Sequence, residues 1–188
     1  MAAPATPVEI LDEIDATNAE VRRRAEAGRL DPVWIAARRQ TAGRGRRGRA
    51  WASVQGNLHA TGLFHLNASP AEAAQLSFAA ALAAAETVEA ACEPERVRVK
   101  WPNDVLVDGR KIAGLLLESA PVASGGLWLA VGVGINLAWA PDDAERPATS
   151  LLAEGGRLDV ESALARLSAR FDAWRARWAG EGFAPIRD

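Results

Sequence analysis

The sequence is poor in several residue types, and each scarcity excludes a class of protein. Cys92 is the single cysteine among 188 residues, which excludes a disulfide framework and a cysteine-rich zinc site and fits a reducing compartment. No apolar run reaches the roughly 18 residues of a membrane-spanning helix. The opening MAAPATPVEIL lacks the basic and apolar regions of a signal peptide. We therefore expect a cytoplasmic protein with no membrane partner.

An excess of positive charge is also lacking. The formal net charge is −2, whereas a dedicated nucleic-acid-binding domain is usually basic over its whole length. DNA is therefore not an expected partner. Apolar residues make up 49% of the chain, which is enough for a substantial core, and the length predicts one domain.

The apolar periodicity predicts three helices. Asp15 or Thr17 can cap the first of them, and Gly28 can end it. This first helix is also the first structured element that the sequence predicts. The predicted helices occupy residues 15–28, 69–91 and 159–180.

Strand signals lie between these helices. Asp108-Gly109 is a strong signal for a two-residue hairpin turn. Strand pairs flanked by helices predict an α/β (α+β) protein with a mixed sheet, and not a doubly wound parallel sheet. The predicted strands read VWIAARRQ, NLHATGLFHL, RVRVKW, DVLVDGRKIAGLLLES and GLWLAVGVGINL.

The stretch TAGRGRRGRAW concentrates four arginines and three glycines in residues 43–49, called here the arginine loop. Its letters fit the dinucleotide-binding fingerprint G-x-G-x-x-G. However, no helix is predicted after Gly48 and no strand-end carboxylate follows, so a dinucleotide-binding loop is excluded. Glycines let the backbone approach a ligand, and guanidinium groups can then converge on one anion. The alternatives are an anion-binding loop that the ligand orders and a solvated basic loop.

A second unusual stretch is KWPNDVLVDGRKIAG. Its Lys100 and Lys111 are the only lysines among 22 basic residues. Lysine carries a compact charge on a narrow stem, and arginine does not replace it inside a tight pocket. The alternative is that both are ordinary surface lysines. Asp104 could pair with either lysine or bind a metal ion.

A third cluster is VGVGIN. Gly132 and Gly134 occupy alternate positions, so they either clear space on one face of the sheet or mark a close helix crossing. Asn136 at the end of this strand can hydrogen-bond a ribose or a phosphate. His59 and His65 lie six residues apart on one predicted strand face and are expected to be structural.

The sequence resembles biotin protein ligases in four motifs, which occur in the order and approximate spacing of that family. The motifs are DATN, QTAGRGRRGRAW, KWPNDVLVDGRKIAGLLLE and VGVGINL. The resemblance runs from about Asp15 to the end of the chain. It implies a mixed, largely antiparallel sheet flanked by helices, related to class II tRNA synthetases and lipoate ligases. It also implies that residues 1–188 form the catalytic domain, with no winged helix and with the small C-terminal β-barrel absent or truncated.

The resemblance further implies an activity. Family members use ATP and Mg²⁺ to convert biotin to biotinyl-5′-AMP. They then transfer biotin to one lysine of a biotin carboxyl carrier domain, typically that of acetyl-CoA carboxylase. Such an enzyme is expected to be a monomer or a homodimer.

Roles for particular residues also follow from the resemblance. The implied catalytic residues are Lys111, Arg44 and Arg46. The implied biotin-binding residues are Thr17, Asn18, Gln40, Gly43, Arg44, Lys111, Gly114 and Gly132. The implied adenylate-binding residues are Arg46, Arg47, Gly48, Arg49, Trp51, Asn103 and Asn136, with Asp104 as the Mg²⁺ ligand.

Two departures from the family pattern are visible. Ala16 stands where the family commonly has serine in Asp-Ser-Thr-Asn, which removes a hydroxyl expected to bind biotin. Some relatives have an adenine-stacking aromatic residue before TSL, and here Trp139 or another residue would have to replace it.

Two other functions compete with biotin ligation. A lipoate ligase or octanoyltransferase shares the fold and a pocket lysine, but it needs a long apolar tunnel and lacks the arginine loop. A vitamin-sensing or anion-binding module would bind biotin without consuming ATP.

Overall fold

The computed structural model describes residues 5–142 and 146–187 of the chain. Within these residues, seven strands form one sheet in the order β1-β2-β3-β7-β6-β5-β4. The strands are β1 (Val8–Ile14), β2 (Val33–Gln40), β3 (Leu58–Leu66), β4 (Val97–Lys100), β5 (Asp104–Val107), β6 (Arg110–Pro121) and β7 (Leu127–Ile135). The helices are α1 (Thr17–Glu26), α2 (Pro70–Glu89), α3 (Val160–Glu181) and α4 (Ala184–Arg187).

The sheet is mixed and largely antiparallel, as predicted. Strands β1 and β2 run parallel, and every other neighbouring pair is antiparallel. The turn between β5 and β6 is the predicted hairpin. Asp108 and Gly109 there have φ angles of 46° and 79°, the left-handed pair that a type I′ turn requires.

Alternation along the strands divides the apolar residues between the two faces of the sheet. On one face Trp34 packs with the residues that α2 and α3 bury, and its ring meets those of Phe64 and Phe171 edge-on at 6.0 and 5.8 Å. On the other face Ile35 packs against Val21 of the much shorter α1. Because α1 covers only part of this second face, the rest of it is left for a cavity.

Strand β1 was not predicted, so the expectation that a helix comes first is wrong. The segment reads VEILDEI and has no clean alternation, since its acidic residues fall on both faces. It pairs with β2 alone and forms one edge of the sheet. An edge strand tolerates such charges because its side chains lie at the margin of the core, and no residue of β1 is fully buried.

The predicted cap of α1 is also wrong, although Gly28 follows the helix with the left-handed φ of 77° expected of a helix stop. The N-cap residue is Ala16, which makes no side-chain capping bond. Asp15 pairs instead with Arg23 at 2.8 Å, and hydrogen bonding to this guanidinium lowers the pKa of Asp15 to about 2. Thr17 is the first helical residue, and its hydroxyl points into the protein.

The other two predicted helices begin within one residue of their predicted starts. Ser69 and Glu72 form a capping box at the start of α2, and Asp159 caps α3. In the part of the chain that the structure describes, every helix is too short or too polar to traverse a lipid bilayer.

Candidate functional site

A cavity of about 570 Å³ opens on the face of the sheet that α1 leaves uncovered. Its floor is formed by β3, β7, β6 and β5, one side by the start of α1, and its roof by the arginine loop. Residues 141–148, as far as they are described, contribute Pro141, Arg146 and Ala148. The cavity therefore brings together segments that lie between Ala16 and Ala148 in the chain.

Strand register places four residues in one line across the cavity floor. His59 on β3 pairs with Gly134 on β7, which pairs with Gly114 on β6, which pairs with Asp104 on β5. We call these four residues the cross-strand row. Directly paired residues share a face of the sheet, so the two central glycines leave a trough between His59 and Asp104.

Trp51 fills this trough. A Cβ atom on Gly134 would lie 2.5 Å from the Trp51 ring, and one on Gly114 would lie 2.8 Å from it. Gly132 makes room in the same way for Asn18 of α1, because a Cβ there would lie 2.2 Å from Asn18 Oδ1. Both alternatives raised for the paired glycines thus hold: Gly134 clears space for a ring, and Gly132 allows close approach of a helix.

Lys111 reaches across Gly114 into the cavity. Its Nζ lies 2.6 Å from Asp104 Oδ1 and 5.4 Å from the centre of the Trp51 ring, within the range of a cation–π contact. Arg146 lies 3.7 Å from the other oxygen of Asp104. Among the described residues, Lys111 lines the cavity and Lys100 does not.

The arginine loop is a narrow hairpin whose ends meet. Arg44 bridges to Ala50, and Trp51 N–H donates to the Gly43 carbonyl at 3.0 Å. The loop is connected to the residue before β5 through Arg46, which donates to Asn103 Oδ1 at 3.2 Å. The four guanidinium-bearing residues line the cavity although they are exposed, so this loop presents its charge to the cavity mouth. The cavity-lining loop arginines are Arg44, Arg46, Arg47 and Arg49.

A chain of hydrogen bonds crosses the side of the cavity next to α1. Thr17 N–H donates to Gln40 Oε1 at 2.8 Å, and the Thr17 and Thr61 hydroxyls lie 2.8 Å apart. Thr61 donates to Asn18 Oδ1 at 2.8 Å, and Asn18 Nδ2 donates to Glu118 at 2.9 Å. We call these five residues the polar chain. A ligand with its own N–H and C=O groups can exchange partners with such a chain, whereas an apolar ligand end would break bonds and gain none.

Sequence reasoning missed Thr61 and Glu118, and it gave His59 no place in the site. Thr61 lies inside a mostly apolar strand, and Glu118 lies 100 residues from the Asn18 that it contacts. His59 lines the cavity with 2% of its surface exposed. Burial lowers the pKa of its imidazole, so the ring is neutral at neutral pH. Nothing local in the sequence marks these three positions.

Asn136 lies at the cavity, but its amide has a structural partner. Its Nδ2 donates to the Thr149 carbonyl at 3.1 Å, and the residue is 5% exposed. The predicted contact with a nucleotide stays a prediction. Trp139, the suggested replacement for an adenine-stacking residue, is not among the described residues that line the cavity.

The described residues contain no group of three or more histidine, cysteine or acidic side chains that could hold a metal ion. Asp104, the predicted Mg²⁺ ligand, faces Lys111 and Arg146 with its two oxygens. This donor set does not fit a resident metal site. The Mg²⁺ contact of Asp104 stays a prediction.

Residues 15–136 match the biotin/lipoate A/B protein ligase family. The chain is 44% identical over 186 residues to a biotin–[acetyl-CoA-carboxylase] ligase of Paracoccus denitrificans, covering 95% of this chain and 77% of that protein. It is 36% identical to the ligase of the same name from Mycobacterium tuberculosis, covering 89% of this chain and 65% of that protein.

Solved structures of biotin protein ligases are also similar to this chain. The biotin protein ligase of Leishmania major in complex with biotinyl-5-AMP superimposes with a TM-score of 0.76 at 28% identity, covering 97% of this chain and 81% of that one. The biotin protein ligase of Aquifex aeolicus in complex with biotin and ATP gives 0.72 at 29% identity, covering 94% and 73%.

Proposed function

Because the chain belongs to the biotin/lipoate A/B protein ligase family, we propose that it is a biotin–[acetyl-CoA-carboxylase] ligase. It activates biotin with ATP to biotinyl-5′-AMP and passes the biotinyl group to one lysine of a biotin carboxyl carrier domain. The observation that carries this proposal is one cavity bounded by a cationic loop, a lone lysine and the polar chain. These features match the charged and the polar ends of a biotinyl-adenylate.

In the first reaction, a biotin carboxylate oxygen attacks the α-phosphorus of ATP. A C–O–P bond forms, the bond from this phosphorus to the bridging oxygen breaks, and pyrophosphate leaves. Two anions must be held in line at short range, so positive charge has to surround both. Lys111 and the arginine loop supply this charge, and Mg²⁺ bound to ATP neutralises the departing pyrophosphate.

In the second reaction, the uncharged amine of the carrier lysine attacks the biotinyl carbonyl carbon. An amide forms, the bond to the phosphate oxygen breaks, and AMP leaves. Lys111 donates to the carbonyl oxygen as negative charge develops on it. The arginine loop closes over the adenylate and excludes water, which keeps the anhydride from hydrolysing. No covalent enzyme intermediate is required.

The polar chain favours biotin over lipoate. The ureido ring of biotin carries N–H donors and a carbonyl acceptor, which the amide of Gln40 and the hydroxyl of Thr17 can satisfy. The dithiolane ring of lipoate has no such groups, so it would displace hydrogen bonds of the polar chain without replacing them. An unmatched buried polar group costs about 1–3 kcal/mol, so we expect strong discrimination.

A pyrophosphate-release assay tests the proposal. The purified protein with ATP and biotin should release pyrophosphate, and it should label an added carrier domain with biotin only when ATP is present. Lipoate in place of biotin serves as the control and should give neither signal. Biotin binding without pyrophosphate release would instead identify a vitamin-sensing module, and turnover of lipoate would identify a lipoate ligase.

Replacing Arg44 with alanine is expected to increase the release of free biotinyl-5′-AMP. Arg44 lines the cavity, and its bridge to Ala50 is formed by backbone groups that alanine keeps, so the substitution removes only the guanidinium that faces the adenylate. Its loss should raise the dissociation rate of the adenylate about tenfold, the effect of one charged hydrogen bond. Rapid dilution of the preformed complex measures this rate. Arg166→Ala, at an exposed position on α3, is the control, and equal rates in both variants would refute loop closure.

A further inference from the structure

Residues 147–151 form a short extension of the sheet beside Lys111. The Lys111 N–H donates to the Pro147 carbonyl at 2.8 Å, and the Thr149 N–H donates to the Lys111 carbonyl at 2.9 Å. On its other side this segment meets Asn136, which bonds to the Thr149 carbonyl and to the Leu151 N–H. Both backbone groups of Lys111 therefore depend on the placement of residues 147–149.

Glu154 fixes this segment to the neighbouring hairpin. Its side chain is only 2% exposed, although carboxylates are seldom buried without partners. It accepts a hydrogen bond from the Thr149 hydroxyl and forms ion pairs with Arg96 and with Arg110, the latter at 2.8 Å. Arg96 immediately precedes β4, and Arg110 immediately precedes Lys111 in the chain.

The charged partners of Glu154 indicate a role beyond stabilising the fold. A buried carboxylate bonded to one hydroxyl and two guanidinium groups has little rotational freedom, because each partner fixes a different direction. One of these partners is in the segment that bonds to the Lys111 backbone, and another is the residue next to Lys111. Movement of Glu154 would therefore be transmitted to Lys111 from both sides.

We propose that Glu154 is a positioning residue for Lys111: it clamps residues 147–149 and the start of β6 together, and so fixes the direction from which the Lys111 ammonium enters the cavity. Glu154 itself touches no substrate. This inference rests on the proposed function, because it assigns Glu154 a part in the same adenylation reaction.

The test uses two variants, Glu154→Gln and Thr149→Val, each nearly the same size as the original residue. Displacing a catalytic group by about an ångström can lower the rate by up to about 100-fold. We therefore expect kcat for pyrophosphate release to fall at least about tenfold in Glu154→Gln. The fall in Thr149→Val should be smaller. The biotin Kd, measured by calorimetry without ATP, should change much less than kcat, because the polar chain that binds the ureido ring makes no hydrogen bond to Glu154. Circular dichroism and thermal melts identify any variant that fails to fold, and Thr149→Val keeps the test valid if Glu154→Gln does.

Asp108→Asn provides the matched control. Asp108 is the other close carboxylate partner of Arg96, at 2.9 Å, but no described hydrogen bond or ion pair joins it to residues 147–151. A general loss of hairpin stability would lower kcat equally in Asp108→Asn and Glu154→Gln. Positioning of Lys111 predicts that only the Glu154 and Thr149 variants lose activity.

A double-mutant cycle gives the decisive measurement. If Glu154 acts through Lys111, adding Glu154→Gln to a Lys111→Ala protein should cause no further loss of kcat. If Glu154→Gln and Lys111→Ala together lower kcat by the product of their separate effects, the inference is overturned. Wild-type kcat in a folded Thr149→Val or Glu154→Gln protein would also overturn it. If the wild-type protein releases no pyrophosphate with biotin and ATP, the proposed function fails instead, so the two failures are distinguishable.

Discussion

Replacing Lys111 with alanine is expected to lower the rate of biotinyl-5′-AMP formation by about 10²–10³-fold, the usual cost of removing one preorganised donor from a developing anion. Lys111 is the cavity cation whose stem crosses Gly114 and whose ammonium is already held beside Asp104. The protein should remain folded, because the side chain is partly exposed and its removal leaves the sheet pairing intact. Single-turnover measurement of pyrophosphate release gives the rate.

The chain supplies its own control for this experiment. Lys100 is the other lysine and lies exposed on β4, outside the cavity, so Lys100→Ala should retain wild-type activity. Lys111→Arg should not restore activity, since a planar guanidinium cannot follow the path over Gly114 that the lysine stem takes. A wild-type rate of adenylation in Lys111→Ala would show that the mechanism is wrong.

Replacing Gly134 with alanine is expected to lower kcat/KM about tenfold or more, even though only one methyl group is added. A Cβ atom at this position would lie 2.5 Å from the Trp51 ring, well inside van der Waals contact. The ring would have to move, and with it the end of the arginine loop and the surface against which Lys111 rests. Because small displacements near the reacting groups have large kinetic costs, steady-state kinetics with biotin and ATP should reveal the effect.

Gly180→Ala is the matched control for the glycine experiment. Gly180 lies in α3, and a Cβ atom there would have no other atom within 4 Å. This variant should keep full activity and should be slightly more stable, since alanine favours a helix over glycine by about 0.5–1 kcal/mol. Unchanged kinetics in Gly134→Ala would mean that the placement of Trp51 over the cross-strand row has no part in the reaction.

Much of the secondary structure is accessible from the sequence because its signals are local. The Asp108-Gly109 turn and the helix predicted over residues 69–91 each depend on neighbouring residues, and both predictions are confirmed. Strand β1 escaped prediction because its acidic pattern is acceptable only at a sheet edge, and no local pattern reveals which strand will lie there. The α1 cap failed because Asp15 and Thr17 have other partners, Arg23 and the polar chain.

The sequence by itself determined which residues can carry charge and chemistry. The arginine loop is contiguous, and the scarcity of lysine singles out Lys100 and Lys111 without any knowledge of the fold. Only the tertiary structure decided how these groups meet: that Gly114 and Gly134 accommodate Trp51, that Asp104 pairs with Lys111, and that Glu154 lies behind the lysine. The physical reason is that strand register and burial depend on contacts between residues far apart in the chain. A residue's type limits its chemistry, but the packing of distant strands selects its partner.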